Sequence, residues 1–167
     1  MPSESLARVF RAENRRKGET MPDISTLKSK AELEMEISRV LIHFEKEYMG
    51  RGPLETRSYL LDDMILVRLK GVLTPSERKL CESQNERSQY LLKQVRNELL
   101  SGGRPMLETL IRDIVGVEVR SVHTDISTKT GERIIVFTLE EKPSLISSAE
   151  SKSRNGHGLD EGAGRTR

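Results

Sequence analysis

Leu33, Ile37, Val40, Leu41, Phe44 and Tyr48 recur every three or four residues, which places them on one stripe of a helix. Ser29 with Glu32 has the spacing of a capping box, and Gly50 followed by Gly52 and Pro53 should end the helix. Two strand patterns follow, at 55–61 and 64–70, separated only by Asp62 and Asp63. In the second, Ile65, Val67 and Leu69 alternate with Leu66, Arg68 and Lys70, as in a half-buried antiparallel strand. Thr74, Pro75 and Glu77 form a second capping box, opening a short helix that ends near Cys81. A longer helix from about Glu86 has Leu91, Leu92, Val95 and Leu99 as its expected inward stripe, interrupted at Ser101, Gly102 and Gly103. Pro105 opens another, with Leu107, Leu110, Ile111 and Ile114 inward and Gly116 as its stop; alternatively the last two are one helix kinked at Pro105. A hairpin at 117–126 and 133–140 closes the pattern.

The predicted order is therefore α-β-β-α-α-(α)-β-β. Grouped strands and helices argue an α+β domain, with a four-stranded antiparallel sheet and helices packed on one face. Apolar residues are sparse over 1–28 and 142–167, so these are expected to be a flexible arm and a disordered polar tail around a single domain at 29–141.

Charge sharpens this division. The 167 residues carry a net +2; each end carries +2, which leaves the middle at −2. Aromatic residues make up 4%, so the basic, aromatic face of a nucleic-acid binder is missing and such partners are disfavoured. The single cysteine, Cys81, makes no intrachain disulfide and suits a reducing compartment, and no Cys/His spacing suits a metal. The longest apolar runs, 64–67 and 134–137, fall far short of the ~18–20 residues that span a bilayer. The expected location is cytoplasmic, with any membrane contact made through a partner.

Candidate chemistry lies in loops. Residues 123–132 crowd His123, Thr124, Asp125, Ser127, Thr128, Lys129 and Thr130 into one connection, a composition able to hold an anion or a metal-bound phosphate. A hairpin turn needs polar residues and Gly131 there in any case. Asp62 and Asp63, with Asp125, are candidates for a magnesium ion or an acid–base pair. Arg51, Arg57 and Arg68 could meet a carboxylate or phosphate, although Arg57 and Arg68 also fit the solvent side of a strand. His43 reads as a partly buried helix residue. No nucleophile elbow, phosphate loop or dinucleotide fingerprint is present, and no catalytic residue, metal or cofactor is assigned.

Four blocks carry a resemblance: residues 44–53, residues 62–64, the segment 69–75 with Glu77, and residues 123–132. Together they resemble the MpsC-like family over about 31–141, formerly a domain of unknown function and named after a sodium-translocating, membrane-potential-generating system. The resemblance implies a component without a transmembrane segment, working beside membrane transporter subunits that move cations or bicarbonate, and peripheral at the inner membrane face. The expected function is a non-enzymatic binding or regulatory module. Its rivals are a small hydrolase or transferase using His123, Asp125 and Lys129, and a homo-oligomeric scaffold joined through a strand edge.

Overall fold

A computed structural model describes residues 27–82 and 85–146. Its elements are α1 (Lys30–Tyr48), β1 (Glu55–Leu61), β2 (Met64–Lys70), α2 (Pro75–Glu82), α3 (Glu86–Val115), β3 (Val119–Ser127) and β4 (Glu132–Leu139). The four strands form one antiparallel sheet in the order β1-β2-β4-β3, and α1 and α3 pack against it and each other. This is the α+β architecture expected.

Local chemistry sets the element ends. Ser29 Oγ accepts from the Glu32 amide while the Glu32 carboxylate takes the Ser29 amide, closing the first capping box. Thr74 and Glu77 repeat the arrangement at α2. In the β1–β2 turn Asp62 has φ +53°, which an Asp tolerates through its short polar side chain. Leu33, Ile37, Val40, Leu41 and Phe44 are buried against the sheet, each contributing about 1.5–3 kcal/mol by leaving water.

Three expectations are corrected. The interruption at Gly102 and Gly103 does not occur: α3 runs unbroken for 30 residues with Pro105 inside it. Its continuity is tertiary in origin, because a Cβ at Gly103 would lie 2.5 Å from Phe44 Cε2; glycine there lets α1 cross closely. Pro105 withholds one amide on an exposed side of the helix, where water can serve the freed carbonyl. The inward stripe of α3 is also different. Leu92, Arg96, Leu100, Gly103, Leu107, Ile111 and Ile114 are buried, whereas Leu91, Val95 and Leu99 are 52%, 56% and 41% exposed. His43 is exposed rather than partly buried.

The closing hairpin is tighter than expected, its strands reaching Ser127 and Glu132. Past Glu141 the chain still touches the domain: Pro143 is buried, Leu145 packs on the core, and the Ile146 amide donates to the Lys28 carbonyl. The rest of the arm and tail, residues 1–26 and 147–167, lies outside the described residues.

Candidate functional site

The strongest concentration of charge lies inside the domain, at residues not singled out above. Glu45 on α1, Arg96 on α3 and Arg133 on β4 are each at most 1% exposed. Arg133 Nη1 donates to Glu45 Oε1 at 2.8 Å, and its Nη2 to the Arg96 carbonyl at 3.0 Å. Arg96 forms a two-pronged pair with Glu77, at 2.9 and 2.7 Å, and also donates to the Val72 carbonyl at 2.8 Å. Its Nη1 stands 3.6 Å from Glu45 Oε2, an ion pair without a hydrogen bond. Two acids thus balance two guanidinium groups, as burial demands. Periodicity carried the signal: Glu45 continues the step of four from Leu33, Ile37 and Leu41, Arg96 lies between Leu92 and Leu100, and Arg133 shares a side with Ile135, Phe137 and Leu139.

The network grips the β2–α2 connection. Arg51 Nη1 donates to the Leu73 carbonyl at 3.2 Å, beside the Arg96 bond to Val72, and the Val72 amide donates to Gly131. Arg51 therefore acts as a strut for this loop. Glu77 joins the helix cap to the buried arginine. Burial raises its pKa, but hydrogen bonds from Arg96 and Thr74 outweigh that, and its carboxyl is held below the ordinary 4.5. A depressed carboxylate stabilises the fold above its unfolded pKa and loses that contribution as pH falls through its folded one. Wild-type stability should therefore drop as pH falls below about 4.5, and the drop should be shallower in Glu77→Gln. Urea titrations of both proteins from neutral to acid pH check this; parallel pH profiles would refute it.

The residues expected to form a polar site are distributed. His123, Thr124 and Asp125 lie on β3, Ser127 ends it, and Thr128, Lys129 and Thr130 form the turn. The His123 ring meets Ser121 Oγ at 3.0 Å, and Asp125 pairs with Lys93 of α3 at 2.9 Å. That hydrogen bond holds the Asp125 carboxyl below its ordinary value, against a smaller effect of burial. Thr128 Oγ1 donates to Gln89 at 3.3 Å, and Ser127 Oγ accepts from the Thr130 amide. Asp62 and Asp63 turn at the other end of the sheet, next to the row Leu61–Met64–Thr138–Ser121, whereas Asp125 stands in the row of Ile134. Asp62 pairs with Lys142. The two aspartates and Asp125 are not brought together. Arg57 and Arg68 lie on the exposed side and pair with Glu55 and Glu132. Burial pushes the Cys81 thiol up, as do Glu77 and Glu82, which keeps it protonated and unreactive. Among the described residues, no group of three or more His, Cys, Asp or Glu could hold a metal ion.

One concave surface is formed where α1 ends against α3. Tyr48, Val95, Leu99 and Gly102 line it with apolar surface, and Gln94 and Glu98 supply its polar groups. Its walls are the stripe of α3 that the core does not use.

Comparison with known proteins bears on the same region of chain. The family model for the Na+-translocating membrane potential-generating system (MpsC) matches residues 29–141. The chain is also similar to the uncharacterized protein YbcI of Bacillus subtilis (strain 168), with 45% identity over 112 residues, covering 67% of this chain and 89% of that relative. No solved structure matches. The family match spans the capping boxes, the buried charge network and both hairpins, and the chain belongs to the MpsC family.

Proposed function

We propose that this domain is a non-enzymatic docking component of a membrane-potential-generating system, and that its α1–α3 groove receives a basic, amphipathic segment of a membrane subunit. The system served is one that moves sodium, alone or with bicarbonate. The observation that carries the reading is the groove itself: apolar walls from Tyr48, Val95 and Leu99 with the Glu98 carboxylate at their border. An amphipathic helix lays its apolar face into such a groove, and a carboxylate beside it favours Lys or Arg on the incoming segment. Cytoplasmic segments of membrane proteins carry an excess of those two residues. Among the described residues no helix is long and apolar enough to cross a membrane.

The test uses the full chain and synthetic peptides spanning the cytoplasmic loops of sodium-translocating membrane subunits of the same organism. Calorimetric titration should find a binding peptide rich in Lys or Arg, and Val95→Glu with Leu99→Glu should weaken it at least about ten-fold, a loss of about 1.4 kcal/mol. Both positions are exposed, so the melting temperature should hold. Undiminished binding by these variants, together with loss on Asp125→Ala and Lys129→Ala, would move the docking surface to the β3–β4 hairpin.

A further inference from the structure

The two central strands carry apolar residues on both faces over part of their length, with Arg68, Lys70, Glu132 and Thr138 at the remaining outward positions. On β2, Ile65, Val67 and Leu69 face the helices while Met64 and Leu66 face away; on β4, Ile135 and Phe137 face the helices while Ile134 and Val136 face away. A sheet with one face in water normally alternates apolar with polar, and continuous apolar runs mark strands covered on both sides. Here α1 and α3 cover one side only. On the other, Tyr59 and Leu61 of β1 extend the apolar area and are 39% and 43% exposed.

We infer that this open sheet face packs against the same face of a second copy, about a two-fold axis parallel to the strands. The inference is independent of the groove described above. Register selects both the occupant and the axis. Across the face, residues line up in rows: Arg57–Arg68–Ile134–Asp125, Tyr59–Leu66–Val136–His123, and Glu55–Lys70–Glu132–Ser127. A rotation about the strand direction lays β1 of one copy over β3 of the other, and β2 over β4. Each row then meets itself reversed. Arg57 stands over Asp125, Lys70 over Glu132, Leu66 over Val136 and Tyr59 over His123, so opposite charges, which within one chain pair with Glu55, Lys93 and Arg68, meet at the edges and apolar groups at the centre. Rotation about an axis across the strands would instead lay each strand antiparallel over its own copy, which sets Arg57 on β1 and Asp125 on β3 at opposite edges and never over one another.

Size and edges agree with this. Four strands ~4.8 Å apart and seven residues long at ~3.3 Å each give a face of roughly 19 by 23 Å. With side-chain relief, its accessible area approaches the ~800 Å² per partner of a standard interface. Facing sheets pack within about 30° of alignment, which this axis permits. The strand edges, by contrast, are blunted. Glu34 of α1 accepts the Leu60 amide of β1, and β3 has an irregularity between Val119 and Ser121.

Sedimentation equilibrium of the full chain decides the matter. The expected species is a dimer of the 19.0 kDa chain. Leu66→Glu and Val136→Glu should give monomers. Arg57→Asp alone and Asp125→Arg alone should each weaken the dimer about ten-fold or more, and the two combined should restore it. The charge reversals lie on exposed side chains, so they report even if the glutamate variants fail to fold. A wild-type monomer at about 100 µM, above the roughly µM-to-pM range of interfaces of this size, would overturn the inference, as a terminal segment of the same chain covering the face would produce. So would charge reversals that do not rescue each other, or a dimer abolished by Val95→Glu.

Discussion

Arg133→Ala is expected to destabilise the domain by about 3–5 kcal/mol, since it removes the hydrogen-bonded partner of the buried Glu45 carboxylate and leaves it only the longer 3.6 Å contact with Arg96 Nη1. Arg133 and Glu45 are both fully buried and joined at 2.8 Å, and the loss also removes the donor to the Arg96 carbonyl. Alanine would add a cavity where the guanidinium stem packs. The joint change Glu45→Leu with Arg133→Met should cost much less, because it removes both desolvated charges and keeps the volume. Arg96 would still hold its pair with Glu77. Urea denaturation of the three proteins checks both statements. A loss below about 1 kcal/mol for Arg133→Ala, in the range of a surface pair, would mean that the network contributes little.

Phe44→Ala should also cost about 3–5 kcal/mol, the range for a buried ring replaced by a methyl group. Phe44 is 1% exposed and stacks on Tyr48 with ring centroids 4.7 Å apart. It is also the atom group nearest to Gly103, and this contact makes the effect context-dependent. In the wild type, Gly103→Ala places a methyl 2.5 Å from the ring, so about 1–3 kcal/mol of overpacking opposes the roughly 1 kcal/mol helix preference of Ala over Gly. In a Phe44→Ala background only Tyr48 Cε1, 3.2 Å away and free to shift into the vacated space, still opposes the methyl, and Gly103→Ala should become neutral or stabilising. Thermal and urea melts of the four proteins form a double-mutant cycle. Additive effects would show that Gly103 and Phe44 do not constrain each other.

Much of the candidate surface follows the same division between local and distant causes. Composition alone places Thr128, Lys129 and Thr130 in a turn, and that is where they lie. That Asp125 pairs with Lys93, or Asp62 with Lys142, involves residues 32 and 80 positions apart, and no local pattern encodes such a meeting. The exposed stripe of Leu91, Val95 and Leu99 was expected in the core because it has helical spacing. A helix with apolar residues on two adjoining stripes does not say which one its neighbours will take.

Features settled within a few residues are legible along the chain. Both capping boxes, the left-handed stop at Gly50, the two antiparallel hairpins and the buried stripe of α1 depend on neighbouring amides, backbone dihedrals and a repeat of 3.6 or 2 residues. Contacts between distant elements set the rest. It carried α3 through Gly102, Gly103 and Pro105, because the packing of Phe44 against Gly103 outweighs the weak helix propensity of those residues. It also turned Arg96 and Arg133 inward. A buried arginine is stable only where acids from other elements meet it, and Glu45 and Glu77 are brought to it by the fold alone.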